Sequence, residues 1–148
     1  MRYNKAVAKP NFNFTAGGAD VFSNYDTFVF LSHAFEDLGV RAYKGQAGNL
    51  INDDAILQAA LQIHSVEARH AAVVRRELSM IRNNMAIEPW ITNAEGSPAP
   101  IYAGEDNTTH GGVNIMGIAG KSKEAITEAF DEPLTKEQVL AIAMPFFA

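Results

Sequence analysis

Apolar residues recur at three- and four-residue steps over two long stretches of the chain. In the first stretch, which starts at about Tyr25, the repeating apolar positions are Phe28, Leu31, Phe35, Leu38 and Ala42. This spacing predicts an amphipathic helix, with Ser23 or Asp26 as its N-cap. Gly45 and Gly48 mark its predicted end.

The second stretch contains neither Gly nor Pro from Asp53 onwards, and we predict a helix there that ends at about Arg82. Asn52 is its predicted N-cap, and acidic residues in the first turn favour the positive end of the helix dipole. Some 30 helical residues are about 45 Å long. Two long helices that a short loop joins form an antiparallel hairpin.

Gly, Pro and Asn are concentrated outside these stretches and divide the chain into three predicted segments. Residues 1–24 are an irregular arm with a few phenylalanines, and residues 25–82 are the long antiparallel hairpin. Residues 83–148 are a loop-rich segment with two short helices, at about 122–130 and 136–144. The predicted fold class is therefore all-α.

Composition and charge exclude several classes of function. The chain has 148 residues, of which 47% are hydrophobic and 20% charged, as in a soluble globular domain. Its net charge of −5 argues against a nucleic-acid partner. We expect no membrane span, and no secretory signal is visible, so the compartment stays open. Without cysteine, a metal has to be held by carboxylate and imidazole groups, which suit iron, manganese or zinc.

Three residues of the two predicted helices have the chemistry of metal ligands. Glu67 and His70 stand three residues apart, so both lie on one face of the second helix and can bind one ion. Glu36 lies in the middle of the first helix, where burying a carboxylate without a partner is costly. A Glu from one helix and a Glu-x-x-His pair from another are half of the ligand set in dinuclear carboxylate bundles. Ordinary surface residues at the same spacing are the alternative.

Two further histidines lie near these residues in the predicted helices. His64 and His33 each stand one turn from a candidate ligand, and each is an extra ligand, a donor to a ligand or a polar residue at the edge of the packed face. We expect Arg69, Arg75 and Arg76 on the solvated face. Phosphate loops, nucleophile elbows and His-Glu-x-x-His motifs are absent from the sequence, so we predict no catalytic residue beyond the metal ligands.

Three segments resemble a known family. Residues 35–45, Phe-Glu-Asp-Leu-Gly-Val-Arg-Ala-Tyr-Lys-Gly, and residues 63–72, Ile-His-Ser-Val-Glu-Ala-Arg-His-Ala-Ala, are similar to two helices of one bundle. They look like the last two bundle helices of the ferritin-like family that includes the plant desiccation-related proteins. Residues 129–143 are similar to that family's C-terminal segment.

The resemblance implies that Glu36, Glu67 and His70 are ligands of iron or manganese. It also implies a dinuclear site that reacts with oxygen or peroxide, in the manner of a ferroxidase or a catalase. Family members carry the remaining ligands on two earlier helices, where this chain has its arm. A second copy in a homodimer, a different chain or another part of a longer product are the three possible sources of that hairpin. The alternative function is a metal-free stress or desiccation-related protein that keeps the bundle for packing or partner binding.

Overall fold

Two long antiparallel helices form the main body of the computed structural model, which describes residues 9–148. Helix α1 is Tyr25–Gln46 and helix α2 is Asp54–Ile81, and a 3-10 turn at Ala47–Leu50 connects them. These bounds confirm the predicted helical hairpin. Residues 1–8 of the predicted arm lie outside the described residues.

At the start of each long helix, a polar side chain accepts a hydrogen bond from a backbone N–H that has no carbonyl partner within the helix. The side-chain oxygens of Asn24 and Asp53 accept hydrogen bonds from the backbone N–H three residues later, at 3.0 and 3.2 Å. The predicted caps, which were Ser23 or Asp26 for α1 and Asn52 for α2, were therefore wrong by one or two residues. Capping residues stand side by side at both starts, so the sequence does not select one of them.

Shorter elements occupy the chain after α2. They are α3 (Ala99–Tyr102), β1 (Thr109–His110), β2 (Val113–Asn114), α4 (Lys123–Thr127) and α5 (Lys136–Ala143). Strands β1 and β2 pair as an antiparallel hairpin. The sequence predicted α4 and α5, with longer bounds, but neither α3 nor the strands, because elements of two to four residues are too short to show a periodicity. None of the helices between residues 9 and 148 is both long and apolar enough to cross a membrane.

The segment after α2 packs along one side of α1. The buried core of this contact consists of Ala34, Leu38, Ile91, Ile101, Tyr102 and Leu134. At 3.6 residues per turn, Ala34 and Leu38 lie on the side of α1 opposite Glu36. The segment thus covers the back of the hairpin, and the helix face that carries Glu36 points the other way.

Gly45 lies where this segment crosses the end of α1. The backbone N–H of Leu134 donates to the carbonyl of Arg41 at 3.2 Å, and a Cβ at residue 45 would overlap the carbonyl oxygen of Leu134. We expect Gly45→Ala to lower the free energy of unfolding by about 1–3 kcal/mol, because the crossing backbone has to move. Gly48→Ala is the matched control, since a Cβ there meets nothing within 4 Å. Urea denaturation tests this, and equal stability of both variants would contradict the close crossing.

Candidate metal centre

Glu36 of α1 and His70 of α2 face each other across the hairpin. His70 Nδ1 and Glu36 Oε2 are 3.3 Å apart. The pair does not have the geometry of a hydrogen bond, so Glu36 Oε2 is buried without a hydrogen-bond partner. A buried carboxylate oxygen without a donor is costly, and it is a position where a cation is stabilising.

Glu67 lies one turn before His70 and packs against α1 at Gly39. A Cβ at residue 39 would stand 2.6 Å from Glu67 Oε2, so the absence of a side chain there gives the carboxylate its space. Burial and the neighbouring Glu36 carboxylate raise the pKa of Glu67 to about 7, although His70 opposes the shift. Two carboxyl groups that share one site without a positive charge between them produce such a shift.

The three side chains lie close together on the two helices. Two carboxylates and an imidazole are donors that iron and manganese accept, and they converge from two helices onto one place. Across residues 9–148, however, no three His, Asp or Glu side chains stand in an arrangement that could hold a metal ion. The site is also open, since 57% of the His70 side chain and 26% of the Glu36 side chain are exposed.

The two other histidines of the hairpin have separate environments. His64 Nδ1 is 3.0 Å from the carbonyl oxygen of Val40 and can donate to it, which fixes the orientation of the ring. His33 is buried, and its Nδ1 has no hydrogen-bond partner. Burial, with a smaller contribution from Arg75, lowers the pKa of His33. Neither histidine forms a hydrogen bond with Glu36 or Glu67 in the described part of the chain.

An ion pair that the sequence did not predict lies behind the candidate ligands. Arg75 was expected on the solvated face, and this expectation is wrong, because Arg75 is buried and pairs with the carboxylate of Asp37. The Tyr102 hydroxyl donates to the same carboxylate at 2.6 Å. Asp37 follows Glu36 directly in the sequence, so adjacent acidic residues point to different sides of α1. Asp37 and Arg75 are 38 residues apart and lie on different helices, so no local spacing rule relates them. The sequence therefore did not predict this pair.

An apolar cavity opens beside Glu36. It has a volume of about 560 Å³, within the range of small-molecule sites, and aromatic side chains form most of its wall. Those rings come from the arm, from α1 and from the C-terminal end, and they are Phe14, Phe22, Phe28, Phe35 and Phe146. Ser32 and Glu36 are the polar residues of its wall.

Comparison with known proteins gives one match. A family model described as a ferritin-like domain matches residues 3–80, which are 78 of the 148 residues. The matched region includes α1, all of α2 except its last residue, and all three candidate ligands, and it ends before the C-terminal segment. No curated protein and no solved structure matches. The likeness of residues 129–143 to plant desiccation-related proteins stays a prediction.

Proposed function

This chain belongs to the ferritin-like domain family, and on that premise we propose that Glu36, Glu67 and His70 bind iron or manganese as half of a dinuclear site. The observation that carries the proposal is the 3.3 Å approach of His70 Nδ1 to Glu36 Oε2, a buried oxygen with no hydrogen-bond donor. The proposed activity is oxidation chemistry with oxygen or peroxide, of the ferroxidase or catalase type.

The residues of the chain have distinct parts in this proposal. Glu36 and Glu67 supply negative charge and oxygen ligands, bridging or terminal, and His70 supplies a nitrogen ligand. Iron or manganese held in this way can change oxidation state and react with oxygen or peroxide. Gly39 keeps the Glu67 carboxylate against α1, and the apolar cavity beside Glu36 admits small uncharged reactants while disfavouring ions.

The remaining ligands of a two-metal site come from outside residues 1–148 in this proposal. A second copy of the chain, a different chain and another part of a longer product are the three sources. Each source requires a helical hairpin that docks on the open side of α1 and α2. The exposed side chain of His70 is consistent with a site that such a hairpin closes.

Metal titration tests the proposal directly. We expect about one equivalent of Mn²⁺ per chain, measured by electron paramagnetic resonance, because two hairpins share two metals in this type of site. Glu67→Ala/His70→Ala should weaken binding by more than about 100-fold, since it removes two direct ligands. Arg69→Ala/Arg76→Ala, on the exposed part of the same helix, is the control and should bind as the unmodified protein does. Uptake below about a tenth of an equivalent would overturn the metal role.

A metal-free structural role is the second candidate function. The specific observation in its favour is that residues 9–148 contain no three-ligand arrangement ready to hold an ion. Under this alternative the hairpin serves packing or partner binding in a stress response. The Glu67→Ala/His70→Ala variant distinguishes the two functions. Unchanged folding together with unchanged performance in a host stress assay favours the structural role, whereas loss of oxygen-dependent iron oxidation favours the metal site.

A further inference from the structure

The open face of the hairpin carries exposed apolar side chains on both sides of the candidate ligands. Toward the open end of the hairpin, Tyr25 is 60% exposed and Phe28 is 50% exposed. Toward the connecting turn, Ile56 is 43% exposed and Ile63 is 41% exposed. Within residues 9–148 the segment after α2 covers the back of α1, and the arm and Phe146 reach only the side of this face that borders the apolar cavity. The candidate ligands therefore lie near the middle of an apolar surface that can bind another surface.

The ligand types on this face are those that a two-fold pairing needs. Dinuclear carboxylate bundles use one Glu from each of two helices and a Glu-x-x-His pair from each of the other two. Helix α1 supplies Glu36 and helix α2 supplies the pair Glu67 and His70, so two copies of the hairpin supply the whole set. In a two-fold interface, the residues at the centre of the face meet their own counterparts. A central ligand group flanked by apolar residues has the layout that this symmetry requires.

Electrostatics makes such a pairing depend on metal. Each face contributes two carboxylates, so pairing collects four carboxylates at one place, and their repulsion opposes the contact. Two divalent cations carry four positive charges and balance them. We propose that two copies of this chain pair through the face around Glu36, Glu67 and His70, and that divalent metal ions drive the pairing. This inference rests on the proposed metal site.

Solution mass measures this assembly without any assay of activity. Sedimentation equilibrium at about pH 8 should give the mass of one chain in the presence of a chelator, and the mass of two chains with Mn²⁺. The same samples are examined by electron paramagnetic resonance to quantify bound Mn²⁺. Bound Mn²⁺ with the mass of one chain would overturn the pairing and leave the proposed function intact, whereas no bound Mn²⁺ would overturn the proposed function itself. Equal pairing with and without metal would overturn the metal dependence.

A pair of glutamine substitutions tests the electrostatic reason. Glu36→Gln/Glu67→Gln keeps the size of both side chains and removes four negative charges from the paired state. We expect this variant to pair without metal, at least about tenfold more tightly than the unmodified protein in chelator, and to show no response to Mn²⁺. Circular dichroism verifies that it stays helical. A helical variant that has the mass of one chain would overturn the charge argument.

Two substitutions on the same helix test which face is used. Ile63 lies one turn before Glu67 on the open face, and Leu61, which is 50% exposed, lies on the side of α2 opposite His70. Ile63→Asn should weaken metal-dependent pairing by at least about tenfold, because it places an amide in the buried centre of the contact. Leu61→Asn should leave pairing unchanged. The opposite result, or equal effects of both, would overturn the assignment of this face.

Discussion

Replacing Arg41 with Met should lower the free energy of unfolding by about 3–5 kcal/mol, because it leaves a buried charge without its partner. Arg41 Nε is 2.6 Å from Glu105 Oε1, and both side chains are almost completely buried. The guanidinium also donates to the carbonyl oxygens of Ile101, Ala103 and Glu132. One side chain of α1 thus joins three places in the C-terminal segment, and all of them lose a donor in the variant.

Urea denaturation of single and double variants separates the charge from the packing. Arg41→Met/Glu105→Gln removes both charges, so we expect it to recover about half of the lost free energy of unfolding. Arg69→Met, at an exposed position of α2, is the control and should cost less than about 1 kcal/mol. An Arg41→Met protein that loses less stability than the Arg69 variant would contradict the central place of this ion pair.

In the metal-free protein, Glu67→Gln should raise the free energy of unfolding at about pH 8 by on the order of 1 kcal/mol. Burial and the Glu36 carboxylate raise the pKa of Glu67 from 4.5 to about 7. A raised carboxyl pKa favours folding below pH 4.5, and this contribution is lost as the pH rises through about 7. Glutamine cannot ionise, so the variant avoids that loss. The partial exposure of Glu67 is the reason why the effect is set well below the full value of the shift.

The same substitution should weaken Mn²⁺ binding by more than about 100-fold, since an amide oxygen replaces a charged ligand. Denaturation in chelator at about pH 5 and pH 8, together with a Mn²⁺ titration, measures both effects on one variant. Glu88→Gln is an exposed control, with expected changes within about 0.5 kcal/mol. A variant that is more stable but no longer binds Mn²⁺ is the expected result if Glu67 serves metal binding rather than folding stability. A variant that is less stable at pH 8, or that binds Mn²⁺ normally, would contradict that role.

The hairpin was predictable because its signal is local. The three- and four-residue spacing of apolar positions in each helix records which side is packed, and it holds regardless of what lies elsewhere in the chain. The spacing of Glu67 and His70 likewise places both on one face. The position of Glu36 along the hairpin axis, relative to Glu67 and His70, depends on the connecting turn. The sequence limits this position only through the maximum length that the turn residues can span. The structure places Glu36 3.3 Å from His70.

The contacts that sequence reasoning missed all join distant parts of the chain. Arg75 and Asp37 are 38 residues apart, and Tyr102 is 65 residues from Asp37. The first contact depends on how α1 and α2 pack, and the second depends on how residues 83–148 fold back along α1. No periodicity encodes either arrangement. Arg75 is charged and stands beside Arg76, so the sequence alone indicated that its side chain is exposed to solvent. Only the structure shows that the Arg75 side chain is buried and pairs with Asp37.

The covered back of the hairpin also limits how far copies of the chain can associate. A helical hairpin with two bare sides can stack on others indefinitely and form a filament. Here the chain's own C-terminal segment occupies one side, and Arg41 and Gly45 fasten it there. If two copies pair as proposed, the back of α1 and the open face are both occupied, and growth into a filament through these two sides is blocked.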